Sequence, residues 1–125
     1  MRGQTTEKVI SAALRYSRCR EKLHAAHEIL TVGERDVRDR LRQAYRYLRV
    51  LREEEIPPQL REEWGAILHD LTRRGPEIGP KGTVYQDAAA NTLSRMRNST
   101  GRRIAERIDK LTHEFDRIIA TKSHP

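Results

Sequence analysis

The stretch Glu34–Ile56, ERDVRDRLRQAYRYLRVLREEEI, decides the fold class. Val37, Leu41, Ala44, Leu48 and Leu51 recur at steps of four and three, the spacing that lines one face of an α-helix. At about 100° per residue, Arg35, Arg38, Arg42, Arg46 and Arg49 fall in a separate narrow stripe, well round the cylinder from the leucines. The pattern predicts a helix over residues 34–55 with a core face and a cationic face. Ile56-Pro57-Pro58 ends it, because proline lacks a donor and biases the preceding residue away from helical angles.

Upstream, Val9, Ala12, Tyr16, Cys19, Leu23, Ala26 and Leu30 keep a three-four spacing that predicts a helix over about residues 6–30. Small residues alternate along this seam, so a partner helix can approach closely. Lys8, Arg15 and Lys22 flank it one heptad apart, where coiled-coil partners present acids. Thr31-Val32-Gly33-Glu34 spells a capping box and marks a tight turn. A connection this short makes the first two helices antiparallel neighbours, a long N-terminal hairpin.

Downstream, Leu60, Trp64, Ile67 and Leu71 give a helix over 58–74, with Pro58 at its first position and Gly75-Pro76 after it. Residues 75–82 read as a loop. A less clearly amphipathic helix is expected over 83–97, then a break at Asn98–Gly101. The last helix, about 100–121, carries Ile104, Ile108, Leu111, Phe115 and Ile118 on one face. The expected architecture is one all-α domain over residues 1–125, a bundle of four to five helices built on the hairpin.

The chain has 125 residues, with 36% hydrophobic and 34% charged, enough for one domain with one core. Twenty arginines stand beside five lysines, and the net charge is +7. A charge of this sign suits nucleic acid or an acidic protein partner. By region it is +3 over 1–33, +1 over 34–55, −1 over 56–94 and +4 over 95–125, so the ends are basic and the middle is near neutral. Cys19 is the sole cysteine, which excludes an internal disulfide and a cysteine-based metal cluster and points to a reducing cytoplasm. No apolar run is long enough to span a bilayer, and no secretory leader pattern opens the chain, so no membrane role is expected.

Two anion-binding candidates follow. The first is the stripe Arg35, Arg38, Arg42, Arg46 and Arg49, which spans roughly 21 Å at 1.5 Å per residue and has Tyr45 at its border. Against it stand the helical pairs Glu34–Arg38, Arg35–Asp39, Asp39–Arg42 and Arg49–Glu53, each able to answer an arginine internally. The second is Arg97, Ser99, Thr100, Arg102 and Arg103 at the start of the last helix, where the dipole disfavours cations unless an anion answers them. Glu77 or Asp87 would be the internal alternative. Lys81-Gly82-Thr83 has similar chemistry in weaker form but lacks the P-loop spacing.

Enzymatic patterns are sparse. His24 and His27 share a helix face, but two ligands do not make a metal site, and no second Glu-x-x-His accompanies Glu21-x-x-His24. No metal and no cofactor are expected. Arg18 with His24, Arg20 with His27 and Arg107 with His113 match the Arg-to-His spacing of small helical ribonucleases of the HEPN type, in spacing alone. Chance supplies one or two such matches among twenty arginines. The sequence therefore points to a non-enzymatic binding module with a basic surface, homodimeric through an apolar seam. A structural adaptor and a ribonuclease are the alternatives.

Overall fold

A computed structural model describes residues 14–123, and they form a helical bundle with one small hairpin of strands. In chain order the elements are α1 (Ser17–Val32), α2 (Val37–Leu48), α3 (Arg61–Thr72), β1 (Glu77–Ile78), β2 (Val84–Gln86), α4 (Ala88–Ser94) and α5 (Asn98–Ser123). Val9 and Ala12 of the expected seam lie outside the described residues. The rest of it, Tyr16, Cys19, Leu23, Ala26 and Leu30, is buried.

α1 and α2 run in opposite directions. Leu30 meets Arg40, Lys22 lies over the Tyr47 ring and Arg18 reaches Glu55. The turn between them closes on Gly33, whose N–H donates to the Ile29 carbonyl over 3.1 Å. A Cβ on Gly33 would sit 2.4 Å from Arg40 Cδ, so only glycine lets this side chain lie across the turn. Arg40 then donates to the Arg35 carbonyl of the turn, at 2.7 Å, and to that of Leu30, at 2.5 Å, an acceptor that the end of α1 leaves open. The expected capping box does not form. Thr31 belongs to the last turn of α1 and its hydroxyl donates to His27 and Glu28 carbonyls, while Asp36 caps α2 by accepting from the Arg38 N–H at 2.8 Å.

α2 stops at Leu48 rather than running to residue 55. Continued, it would have placed Glu53, Glu54 and Glu55 at the negative end of the helix dipole. Instead those residues form a 3-10 turn, Leu51 and Ile56 still reach the core, and the half-buried Trp64 indole donates to the freed Leu48 carbonyl over 3.2 Å. A second 3-10 turn, Pro58–Leu60, leads into α3.

The region expected as a loop and a helix divides differently. β1 pairs antiparallel with β2, with Glu77 opposite Gln86 and Ile78 opposite Val84. The β-branched and aromatic run Thr83–Tyr85 favours the strand. Only Ala88–Ser94 is helical, capped by Asp87, which accepts from the Ala90 N–H at 2.8 Å. Its weak amphipathicity has a cause. Asn91 and Thr92 are buried as polar residues, Asn91 donating to the Gly75 carbonyl at 2.9 Å and Thr92 accepting from the Arg74 N–H at 3.1 Å.

α5 begins at Asn98, so the expected break at residues 98–101 is its first turn. Gly101 is buried there: a Cβ would stand 3.2 Å from Val37 Cγ1 and 3.4 Å from Leu41 Cδ1. α5 packs on α1, α2 and α3, and α4 bridges α2 and α3. One core joins Leu23, Leu41, Leu48, Ile67, Leu71, Ile108 and Phe115. No described helix is long and apolar enough to cross a membrane.

Candidate functional site

The arginine stripe on α2 divides in two. At its N-terminal end Arg38 is engaged: Nε lies 3.0 Å from Asp36 Oδ1 and Nη1 donates to the Met96 carbonyl over 3.3 Å. Its side-chain and backbone hydrogen bonds hold the Asp36 carboxyl below the usual carboxylate range. Arg35 precedes the helix and is exposed. Farther along, Arg42, Arg46 and Arg49 are exposed, and their side chains make no hydrogen bond or ion pair with any described residue.

The helix bounds explain why the expected internal pairs fail. Glu34 and Arg35 lie before the first turn, and Glu53 lies beyond the last, so neither end has the helical register that would bring Glu34 to Arg38, Arg35 to Asp39 or Glu53 to Arg49. Asp39 and Arg42 share the helix but are not within ion-pair distance. Shortening α2 at both ends thus removes the acids and leaves the guanidinium groups facing out.

Arg42, Arg46 and Arg49 line a shallow cleft of about 110 Å³ together with Tyr45, Asp87, Ala88 and Ala89. Tyr45 is half-buried and packs on the core, so it forms a wall of the cleft. Asp87 is the acid facing this cleft, and its carboxylate already accepts from Ala90. A neighbouring groove of about 270 Å³, lined by Asp36, Arg38, Asp39, Arg42, Gln86 and Ser94 among others, continues the channel between α2 and α4.

The second expected cluster is not brought into these clefts. Arg97, Ser99, Arg102 and Arg103 are exposed and Thr100 is half-buried, at the start of α5. Gly101 admits α2, and this seats the first turn of α5 beside Arg38.

None of the three expected Arg–His pairs is in contact among the described residues. Arg107 faces α3, with Nε 2.7 Å from Glu63 and Nη1 2.6 Å from Asp70, whereas His113 faces α1. Partial burial works against the Arg107 charge, but the two carboxylates outweigh it and raise its pKa. Arg18 pairs with Glu55, whereas His24 lies 2.8 Å from Asp116. Arg20 is exposed and shares a cleft with His24.

A grouping that the sequence reading missed spans α1 and α5. His27 Nε2 lies 2.5 Å from Asp109 Oδ1, and His113 Nδ1 lies 2.8 Å from the Asp109 carbonyl oxygen and 3.5 Å from its carboxylate. The two imidazoles meet edge to face with centroids 5.6 Å apart. Asp109 and His113 stand four apart on the exposed side of α5, a signal present in the sequence. Nothing in the sequence placed His27 opposite them.

Cys19 is fully buried, and burial followed by the nearby Glu55 charge pushes its thiol up to about 12. A thiol so held stays protonated and is not a nucleophile. Comparison with known proteins finds no match to this chain among family models, curated proteins or solved structures.

Proposed function

We propose that the protein is a non-enzymatic nucleic-acid-binding module that grips the phosphate backbone through Arg42, Arg46 and Arg49 of α2. The observation that carries this is the set of three exposed guanidinium groups along one cleft with no acid among the described residues paired to any of them. By contrast, Arg18, Arg107 and Arg117 each meet a carboxylate. An arginine fork matches phosphate geometry and needs no base contact, so the expected binding is sequence-independent and salt-sensitive. Arg35 lies exposed just before α2, and Arg97, Arg102 and Arg103 supply a second basic patch at the start of α5.

The seam from Tyr16 to Leu30 is covered by α2 and α5 of the same chain, so a homodimer would need another surface. Acidic protein partners offer carboxylates in place of phosphates, and the experiment separates the two. Retention of mixed-sequence DNA and RNA is measured across a salt series, with the nucleic acid inspected for cleavage. The expected result is binding without cutting, with a log–log salt slope of about −0.9 per duplex phosphate engaged. Arg42→Glu with Arg46→Glu should weaken retention at least tenfold while the circular dichroism spectrum stays unchanged. No retention at low salt overturns the proposal and turns attention to an acidic protein; cutting replaces it with the ribonuclease reading.

A further inference from the structure

Independently of the basic face, the α1–α5 surface carries a second kind of chemistry. One ligand atom from each of His27, Asp109 and His113 lies within 4.8 Å of the other two. We propose that these three side chains bind a divalent first-row transition ion, with Zn²⁺ the representative case.

The donor set argues for the class of ion. Two imidazole nitrogens and one carboxylate oxygen suit zinc, nickel, copper or cobalt, whereas magnesium and calcium take oxygen ligands. Three protein ligands leave a coordination position for water. The donor spacing also fits. Ligands about 2.0–2.1 Å from a tetrahedral ion stand roughly 3.3 Å apart. His113 Nδ1 is 3.5 Å from Asp109 Oδ1 and His27 Nε2 is 2.5 Å from it, so a small side-chain rotation opens the shorter contact to that spacing.

The site is also supported from behind. Asp109 and His113 come from successive turns of one helix, four residues apart, so the backbone of α5 sets their separation. His113 Nδ1 also lies 2.8 Å from the Asp109 carbonyl oxygen, a contact that metal ligation by that nitrogen would replace. His27 is three-quarters buried between the helices, while His113 is exposed, which gives an ion both a fixed ligand and a route in. One turn farther along the same seam, His24 and Asp116 form a separate contact at 2.8 Å. A bound ion would clamp α1 to α5 across a seam otherwise held by packing and these histidine–aspartate contacts.

The test is a calorimetric titration of the protein, prepared without an affinity tag and stripped with chelator, against Zn²⁺, with Co²⁺ absorption as a second readout. The expected result is one ion per chain, a thermal midpoint that rises with added zinc, and visible Co²⁺ bands of a nitrogen–oxygen site. His113→Ala, His27→Ala and Asp109→Asn should each weaken binding at least tenfold, while His24→Ala changes it less than threefold. Because His113 is exposed, His113→Ala keeps the fold and isolates the ligand role; its metal-free thermal midpoint checks this. Absence of zinc binding by the unaltered chain, or equal binding by His113→Ala, overturns the proposal. Neither outcome bears on nucleic-acid retention by α2.

Discussion

Two surfaces of this bundle treat charge in opposite ways. Around α5, several cationic and imidazole groups are answered across helix interfaces: Arg107 by Glu63 and Asp70 of α3, and His24 and His27 of α1 by Asp116 and Asp109. On the outer face of α2, Arg42, Arg46 and Arg49 have no answering acid among the described residues. The acids available to the first set sit on neighbouring helices. Those expected to serve the second, Glu34 and Glu53, sit just outside the helix that carries the arginines. Answered charges tie one helix to another, and unanswered ones add little to stability yet stay free for a ligand.

The largest break removes what lies beneath the answered face. Phe115 is fully buried on α5, and Phe115→Ala should destabilise the fold by about 3–5 kcal/mol through lost transfer energy and a residual cavity, read by chemical denaturation. The comparison sharpens with one arginine from each surface. Arg107→Ala should cost about 1 kcal/mol, since it strips two carboxylates on α3 of their partner and these groups remain partly solvated. Arg46→Ala should stay within about 0.5 kcal/mol in the same denaturation experiment. If both arginines prove equal, the distinction between the surfaces fails.

The smallest effect concerns the core between them. The Cys19 thiol is raised from its ordinary 9.0 to about 12 in the folded chain, so the unfolded chain releases its proton first as pH climbs. Stability contributed by this group is whole below about pH 9 and declines toward pH 12. Native protein should resist a thiol reagent at pH 8 and react on unfolding. Rapid labelling of the native state would show that α1 opens away from α2 and α5.

Much of the fold was legible because periodicity is local. Leu41, Leu48, Leu71, Ile108 and Phe115 declared their faces within single turns, and each is buried. Helix ends were less legible. Thr31-x-x-Glu34 spells a cap, but Arg40 closes over Gly33 and Asp36 takes the cap of α2 instead. The polar burial of Asn91 and Thr92 against the end of α3 gave no periodic signal, so the bounds of α4 could not be read from the spacing.

By itself, then, the sequence determined the helical class, the core faces and the basic excess, since each follows from side-chain spacing along one element or from composition. Tertiary structure decided which charges are neutralised. It trimmed α2 away from Glu34 and Glu53, leaving Arg42, Arg46 and Arg49 open. It turned Arg107 and His113 toward different helices, and it set His27 against Asp109 and His113 across 82 residues of chain to the carboxylate. Such pairings depend on the distance between atoms of separate helices, which packing alone sets.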